Sequence, residues 1–74
     1  MRVYVLVNTE PAKEHTIYSA LSKNKHIDYI YPLFGEYDLL FRLTIENEQQ
    51  LNDIMLNQIR TIDGILTTKT LIGY

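Results

Sequence analysis

Apolar residues fall in four strand-like runs separated by two stretches with helical spacing. Arg2 to Val7 (Arg-Val-Tyr-Val-Leu-Val) is β-branched and aromatic, apolar on both faces and too short for a self-burying helix. It predicts a central strand. Asn8-Thr9-Glu10-Pro11 breaks that run. Proline suits a first helical turn, where its missing N–H has no partner to lose, and Thr9 or Glu10 offers a cap. From Pro11 to about Lys23, the set Ile17, Ala20 and Leu21 recurs at helical spacing, with Lys13, Glu14 and Lys23 off that stripe. Asn24 and Lys25 end the helix.

Ile27 to Phe34 follows as a second strand rich in tyrosine and isoleucine. Pro32 cannot donate to a ladder, so this strand is expected at a sheet edge or bent. Gly35-Glu36 turns the chain into a third strand, Tyr37 to Ile45. Leu39, Phe41, Leu43 and Ile45 share one face of it, and Asp38, Leu40, Arg42 and Thr44 share the other. Glu46-Asn47 links to a second helix over about Glu48 to Arg60, with the stripe Leu51, Ile54, Met55 and Ile59. Asp63-Gly64 makes a turn, and Ile65 to Ile72 reads as a fourth strand.

The order is β-α-β-β-α-β, and the two halves echo each other. Ile27-Asp28 and Ile62-Asp63 hold the same place between helix end and strand start, 35 positions apart. Right-handed crossovers then give an α+β, ferredoxin-like fold: a four-stranded antiparallel sheet with both helices on one face. The other face is expected to carry Tyr4, Leu6, Leu40, Arg42, Thr68, Thr70 and Ile72, or the neighbouring set if the register shifts by one. That face is too apolar for water. A second sheet covering it makes a homodimer, packed sheet to sheet as in dimeric α/β barrels, the expected state.

Size supports this. Seventy-four residues make one domain, and a chain this short buries only about 60–65% of the surface its unfolded form exposes. It has no cysteine and no metal-ligand spacing, so oligomerisation is the remaining way to enlarge the core. Hydrophobic residues make up 46%, with six tyrosines, which supplies the surface. The net charge is −2 and only Lys23 and Lys25 cluster among the basic residues. Direct nucleic-acid binding, which concentrates positive charge on one face, is therefore not expected. No apolar run approaches the roughly 18 residues of a membrane span, and no signal-peptide pattern opens the chain. A cytoplasmic location with no membrane contact is the reading. Phosphate-loop, dinucleotide and metal motifs are absent, so no cofactor is expected.

At Gly35-Glu36-Tyr37-Asp38 the chain resembles the effector-binding (RAM) domain of the Lrp/AsnC family of transcriptional regulators. The likeness runs through Val7-Asn8-Thr9-Glu10-Pro11, the Ile-Arg-x-Ile-x-Gly-Ile segment from Ile59 to Ile65, and Thr68-Lys69-Thr70. Ala12 departs from it, standing where many relatives have glycine. Members usually carry an N-terminal helix-turn-helix domain, whereas this chain starts at its first strand and looks like the stand-alone form, one domain over residues 1–74. The resemblance implies dimers that assemble into larger rings, amino-acid effectors held between dimers, and full-length regulators of the family as partners.

An amino-acid site needs an acceptor for the ammonium and donors for the carboxylate, because a desolvated charge left unpaired costs several kcal/mol. Asp38 is the candidate acceptor. Backbone N–H groups around Gly35 and Glu36 are candidate donors, since glycine lets a ligand approach the main chain. Thr68 and Thr70 can offer hydroxyls to the carboxylate, and Tyr37, Tyr29 or Tyr31 can wall the effector side chain. Arg42 shares Asp38's face and is expected to meet a carboxylate in the dimer interface. Plainer roles exist for each: Gly35-Glu36 as a hairpin turn, the threonines as strand formers, the tyrosines as interface residues. His15 and His26 lack partners and are read as exposed. Glu46, Glu48 and Asp53 suit the N-terminal half of a helix. A small α+β-barrel enzyme of monooxygenase or isomerase type shares this topology but needs a buried base, and no nucleophile–base pair is visible. A purely structural oligomerisation domain is the third reading.

Overall fold

The computed structural model describes residues 1–73. Strand β1 (Arg2–Thr9) leads through a short 3₁₀ turn (Pro11–Lys13) into α1 (Glu14–Ser22). Then come β2 (Ile27–Pro32), β3 (Leu39–Thr44), α2 (Glu48–Ile54), a π-helical turn (Met55–Ile59) and β4 (Ile65–Gly73). The strands form one antiparallel sheet in the order β2-β3-β1-β4. This is the expected ferredoxin-like arrangement, with β2 and its Pro32 at an edge.

One layer of side chains accounts for most of the core. Val3, Val5 and Val7 of β1 and Leu39, Phe41 and Leu43 of β3 alternate inward and meet Ile17 and Leu21 of α1. Leu51, Ile54, Met55 and Ile59 complete the layer. Both helical stripes read from the sequence are therefore core stripes. A fully buried aliphatic or aromatic side chain contributes about 1.5–3 kcal/mol, so this layer is the main source of stability.

Several boundaries move, each for a physical reason. Regular α-helix begins at Glu14, because Pro11–Lys13 form a tighter turn with Lys13 N–H bonded to the Glu10 carbonyl at 2.9 Å. Neither Thr9 nor Glu10 supplies a side-chain cap; β1 runs on to Thr9, whose hydroxyl is used elsewhere. The cap that exists is Asn47, whose Oδ1 accepts from Gln50 N–H at 2.8 Å. The second helix does not stay α-helical to Arg60 but widens into the π turn from Met55.

The β4 register places Thr68 across from Val7, Thr70 across from Val5 and Ile72 across from Val3. These three lie on the helix side, and the open face carries Thr67, Lys69 and Leu71 instead. Both alternating sets of β4, Leu66/Thr68/Thr70/Ile72 and Ile65/Thr67/Lys69/Leu71, mix two aliphatics with polar residues. Hydrophobic alternation alone cannot choose between them.

The Asp63-Gly64 turn docks the start of the first helical segment. Gly64 has φ +99°, and a Cβ there would lie 2.8 Å from Lys13 Cβ and Cδ and 3.0 Å from Ile17 Cδ1. Both the conformation and the space require glycine. Lys13 Nζ donates to Asp63 Oδ2 at 2.6 Å, and that bond, with the nearby Glu10 carboxylate, holds the ammonium's pKa above its ordinary value.

Candidate functional site

The loop from Leu33 to Asp38 joins β2 to β3 and is wider than the two-residue turn expected at Gly35-Glu36. It is closed by Leu33 N–H donating to the Asp38 carbonyl at 2.8 Å. Gly35 sits at φ +139° with nothing within 4 Å of where a Cβ would project, so its conformation requires glycine while the space over it is open. Phe34, Gly35 and Glu36 are exposed; Tyr37 and Asp38 are half-buried. No described residue accepts a hydrogen bond from the N–H of Gly35 or Glu36.

Asp38 is anchored from both its backbone and its side chain. Its N–H donates to the Val7 carbonyl at 2.9 Å. Its Oδ2 accepts from Thr9 N–H at 2.8 Å and from the Thr9 hydroxyl at 3.3 Å. Thr9 is the one buried polar residue of the described chain, 4% exposed, so Asp38 satisfies a backbone donor just past the end of the β1–β3 ladder, where the β1–β4 register shifts between Asn8 and Thr9. Oδ1 takes no hydrogen bond from the described residues. Sequence reasoning placed Asp38 at this turn but missed Thr9, whose position beside a helix-starting proline suggested a cap. Asn8 completes the rim, its Nδ2 donating to Thr67 Oγ1 at 3.1 Å.

A second polar group occupies the other end of the open face. Ile27 pairs with Leu43 and Tyr29 with Arg42, so Asp28 is the extra residue of a bulge in β2. Its Oδ2 accepts from Thr44 Oγ1 at 2.6 Å and from Arg42 Nε at 2.9 Å. The Thr44 hydrogen bond and then the Arg42 guanidinium hold the Asp28 carboxyl below its ordinary pKa, against a partial desolvation cost. The same Asp28 bond, with help from Tyr4, raises Arg42. The guanidinium also lies 4.8 Å from the Tyr29 ring centroid, and the Tyr29 and Tyr31 rings meet at 5.0 Å between centroids, tilted by 46°. Arg42 thus meets its carboxylate within its own chain.

Within one chain, Gly35, Glu36, Tyr37 and Asp38 gather in the hairpin loop, but Thr68 and Thr70 are not brought to them. Thr70 lies instead along a depression between the second helical segment and β4, lined by Leu51, Asn52, Met55, Leu56 and Arg60. Thr68 lines its continuation past Arg60. His15 is exposed as expected. His26 is half-buried, because its N–H is tied to Asn24 Oδ1 at 2.9 Å and its carbonyl accepts from Thr44 at 3.4 Å. Among the described residues no group of three or more acids and histidines converges to hold a metal, and no helix is long and apolar enough to cross a membrane.

The family model of the Lrp/AsnC ligand binding domain matches residues 2–73. Among curated proteins, the HTH-type transcriptional regulator FL11 of Pyrococcus horikoshii is 31% identical over 72 residues, covering 97% of this chain and 47% of that protein. A second HTH-type regulator of the same organism is 30% identical over 67 residues, covering 90% and 42%. The chain thus spans less than half the length of the curated relatives it matches. Among solved structures, FFRP-DM1 superposes with a TM-score of 0.94 at 25% identity, covering 99% of this chain and 97% of that one. E. coli AsnC superposes at 0.88 and 22%, covering 95% and 48%. A transcriptional regulator of Neisseria meningitidis, solved as a complex with L-Met, superposes at 0.88 and 12%, covering 95% and 47%.

Proposed function

The chain belongs to the Lrp/AsnC ligand-binding domain family, and on that premise we propose that it is a non-enzymatic module that binds a free amino acid between subunits and so modulates a transcriptional regulator. The observation that carries this reading is the polar asymmetry of the Leu33–Asp38 loop. One oxygen of Asp38 is committed to Thr9, while the other has no partner among the described residues. Beside it, in the same loop, no described residue accepts from the N–H groups of Gly35 and Glu36, and the space over Gly35 is open. An acceptor with spare capacity and two spare backbone donors match the ammonium and carboxylate of an α-amino acid. The Neisseria relative, whose structure is described as a complex with L-Met, supports the ligand class.

The site is shared between copies. Asp38 belongs to the rim of the hairpin, whereas Thr68 and Thr70 face the helix side of β4. A ligand held by both sets takes Asp38, Gly35 and Glu36 from one subunit and the threonine hydroxyls from another, with Tyr37 as wall. The open face, with Tyr4, Leu6, Tyr29, Leu40 and Leu71, is covered by a second copy to form the dimer. The curated relatives are HTH-type regulators more than twice as long as this chain, so co-assembly with such regulators is how binding reaches DNA control.

Calorimetric titration with the twenty amino acids tests the reading. At least one is expected to bind with Kd below about 1 mM, and Asp38→Asn is expected to weaken it. Uniform failure at millimolar concentration overturns it.

A further inference from the structure

Asp28 has no duty in the ladder of its own strand. Ile27 stands across from Leu43 and Tyr29 across from Arg42, so the sheet would pair as well without the residue between them. What Asp28 supplies is a carboxylate at one spot, where its Oδ2 accepts from Arg42 Nε at 2.9 Å and from Thr44 Oγ1 at 2.6 Å.

That spot lies within the open face of the sheet. The register sets Leu71, Tyr4, Arg42 and Tyr29 in one row across the four strands, and Lys69, Leu6, Leu40 and Tyr31 in the next. Arg42 belongs to an inner strand, has Tyr4 on one side and the Tyr29 ring on the other, and keeps only 26% of its side chain exposed before anything covers the face. Lys69 is on the edge strand β4 and Arg2 at the start of β1, and both are exposed. Long side chains at such margins keep their charges in water around a covered face. Arg42, between two tyrosines, has no such route.

A two-fold contact lays a patch against the same patch of its copy, so it requires a surface compatible with itself. A buried charge left without its partner opposes association strongly, whereas one already answered in its own chain does not. We propose that Asp28 is the built-in counter-ion that lets the open face associate with a second copy: with Asp28 the middle of the face is neutral and aromatic, and without it Arg42 holds the copies apart. This rests on the reading that a second copy covers the face, and it adds which residue controls the association.

Sedimentation velocity over a dilution series tests it, by the concentration at which the assembly falls to single copies. Asp28→Asn is expected to raise that concentration at least about tenfold, with the circular dichroism of the folded chain retained. Asp28→Asn combined with Arg42→Met removes the unanswered cation and is expected to return it to within about threefold of wild type. Thr44→Val, which takes the hydroxyl from Asp28 and leaves the ion pair, is expected to stay within about threefold as well. An unchanged value in Asp28→Asn, a double variant as weak as the single one, or a Thr44→Val variant as weak as Asp28→Asn overturns the role of the charge. A wild-type chain that stays a single copy at millimolar concentration overturns the covered-face reading together with this one. Assembly of the wild type with no response to Asp28→Asn removes this inference alone.

Discussion

Asp28 and Asp38 stand ten residues apart in one β-hairpin, each concentrating two hydrogen bonds on a single carboxylate oxygen at a bulge. Their partners differ in kind. Asp28 receives a guanidinium and a hydroxyl, so its charge is answered within the chain. Asp38 receives a backbone N–H and a hydroxyl, both neutral. Its hydrogen bonds position it while leaving its negative charge without a cation among the described residues. Two acids of the same hairpin thus show how one residue type serves either as an internal counter-ion or as an anchored, unanswered charge. Only the second can attract an ammonium from outside.

The sharpest test is substitution at Asp38. Asp38→Ala leaves the buried Thr9 N–H without an acceptor, which costs about 1–3 kcal/mol of stability, read by urea unfolding. Asp38→Asn keeps an acceptor oxygen but removes the charge. It is expected to cost less stability yet lower amino-acid affinity by about 1.5–3 kcal/mol, roughly ten- to a hundredfold, in calorimetry. Equal affinity in Asp38→Asn and wild type would break the distinction between the two acids. Thr9→Val should cost about 1 kcal/mol for the hydroxyl alone, with ligand affinity unchanged, since the backbone donor still holds Asp38.

Acid separates the pair more gently. The Asp28 carboxyl is lowered, first by the Thr44 hydroxyl and then by Arg42. Its contribution to stability is complete above the ordinary carboxylate value near 3.9 and is lost as pH falls through its lower folded-state value. Melting temperatures of wild type and Asp28→Asn should therefore differ at pH 7 and draw together as pH falls through that lowered value. The smallest effect expected is that of salt. Because Asp28 and Arg42 are partly exposed, raising ionic strength to about 1 M should weaken their pairing slightly and leave the Asp38–Thr9 bonds unchanged.

The topology, the edge position of β2 and both helical core stripes were legible from the sequence, because each rests on a period that burial enforces over several residues. What escaped was whatever breaks a period. Asp28 shifts β2 by one position, Thr9 sits past the end of the β1–β3 ladder where the β1–β4 register shifts, and β4 carries equally mixed alternating sets. The sequence leaves the face of its two threonines open between registers one residue apart, and it expects for Arg42 a carboxylate in the dimer interface, where Asp28 of the same chain supplies one. Gly35 and Asp38 were identifiable as an unusual turn, but the hydrogen bond that anchors Asp38 joins residues 29 positions apart, a distance over which no local pattern speaks.

The bulge at Asp28 has a consequence for how such a chain evolves. Removing Asp28 would leave Ile27, Tyr29, Ile30 and Tyr31 in strict inward–outward alternation, with Ile27 and Ile30 still toward the core and both tyrosines still on the open face. A single codon thus adds or deletes the counter-ion of Arg42 without rephasing the strand. The π turn at Met55–Ile59 is the helical counterpart, one extra residue accommodated while Met55 and Ile59 stay buried. Deletion of the one extra residue in β2 is therefore silent to the core and audible only at the surface.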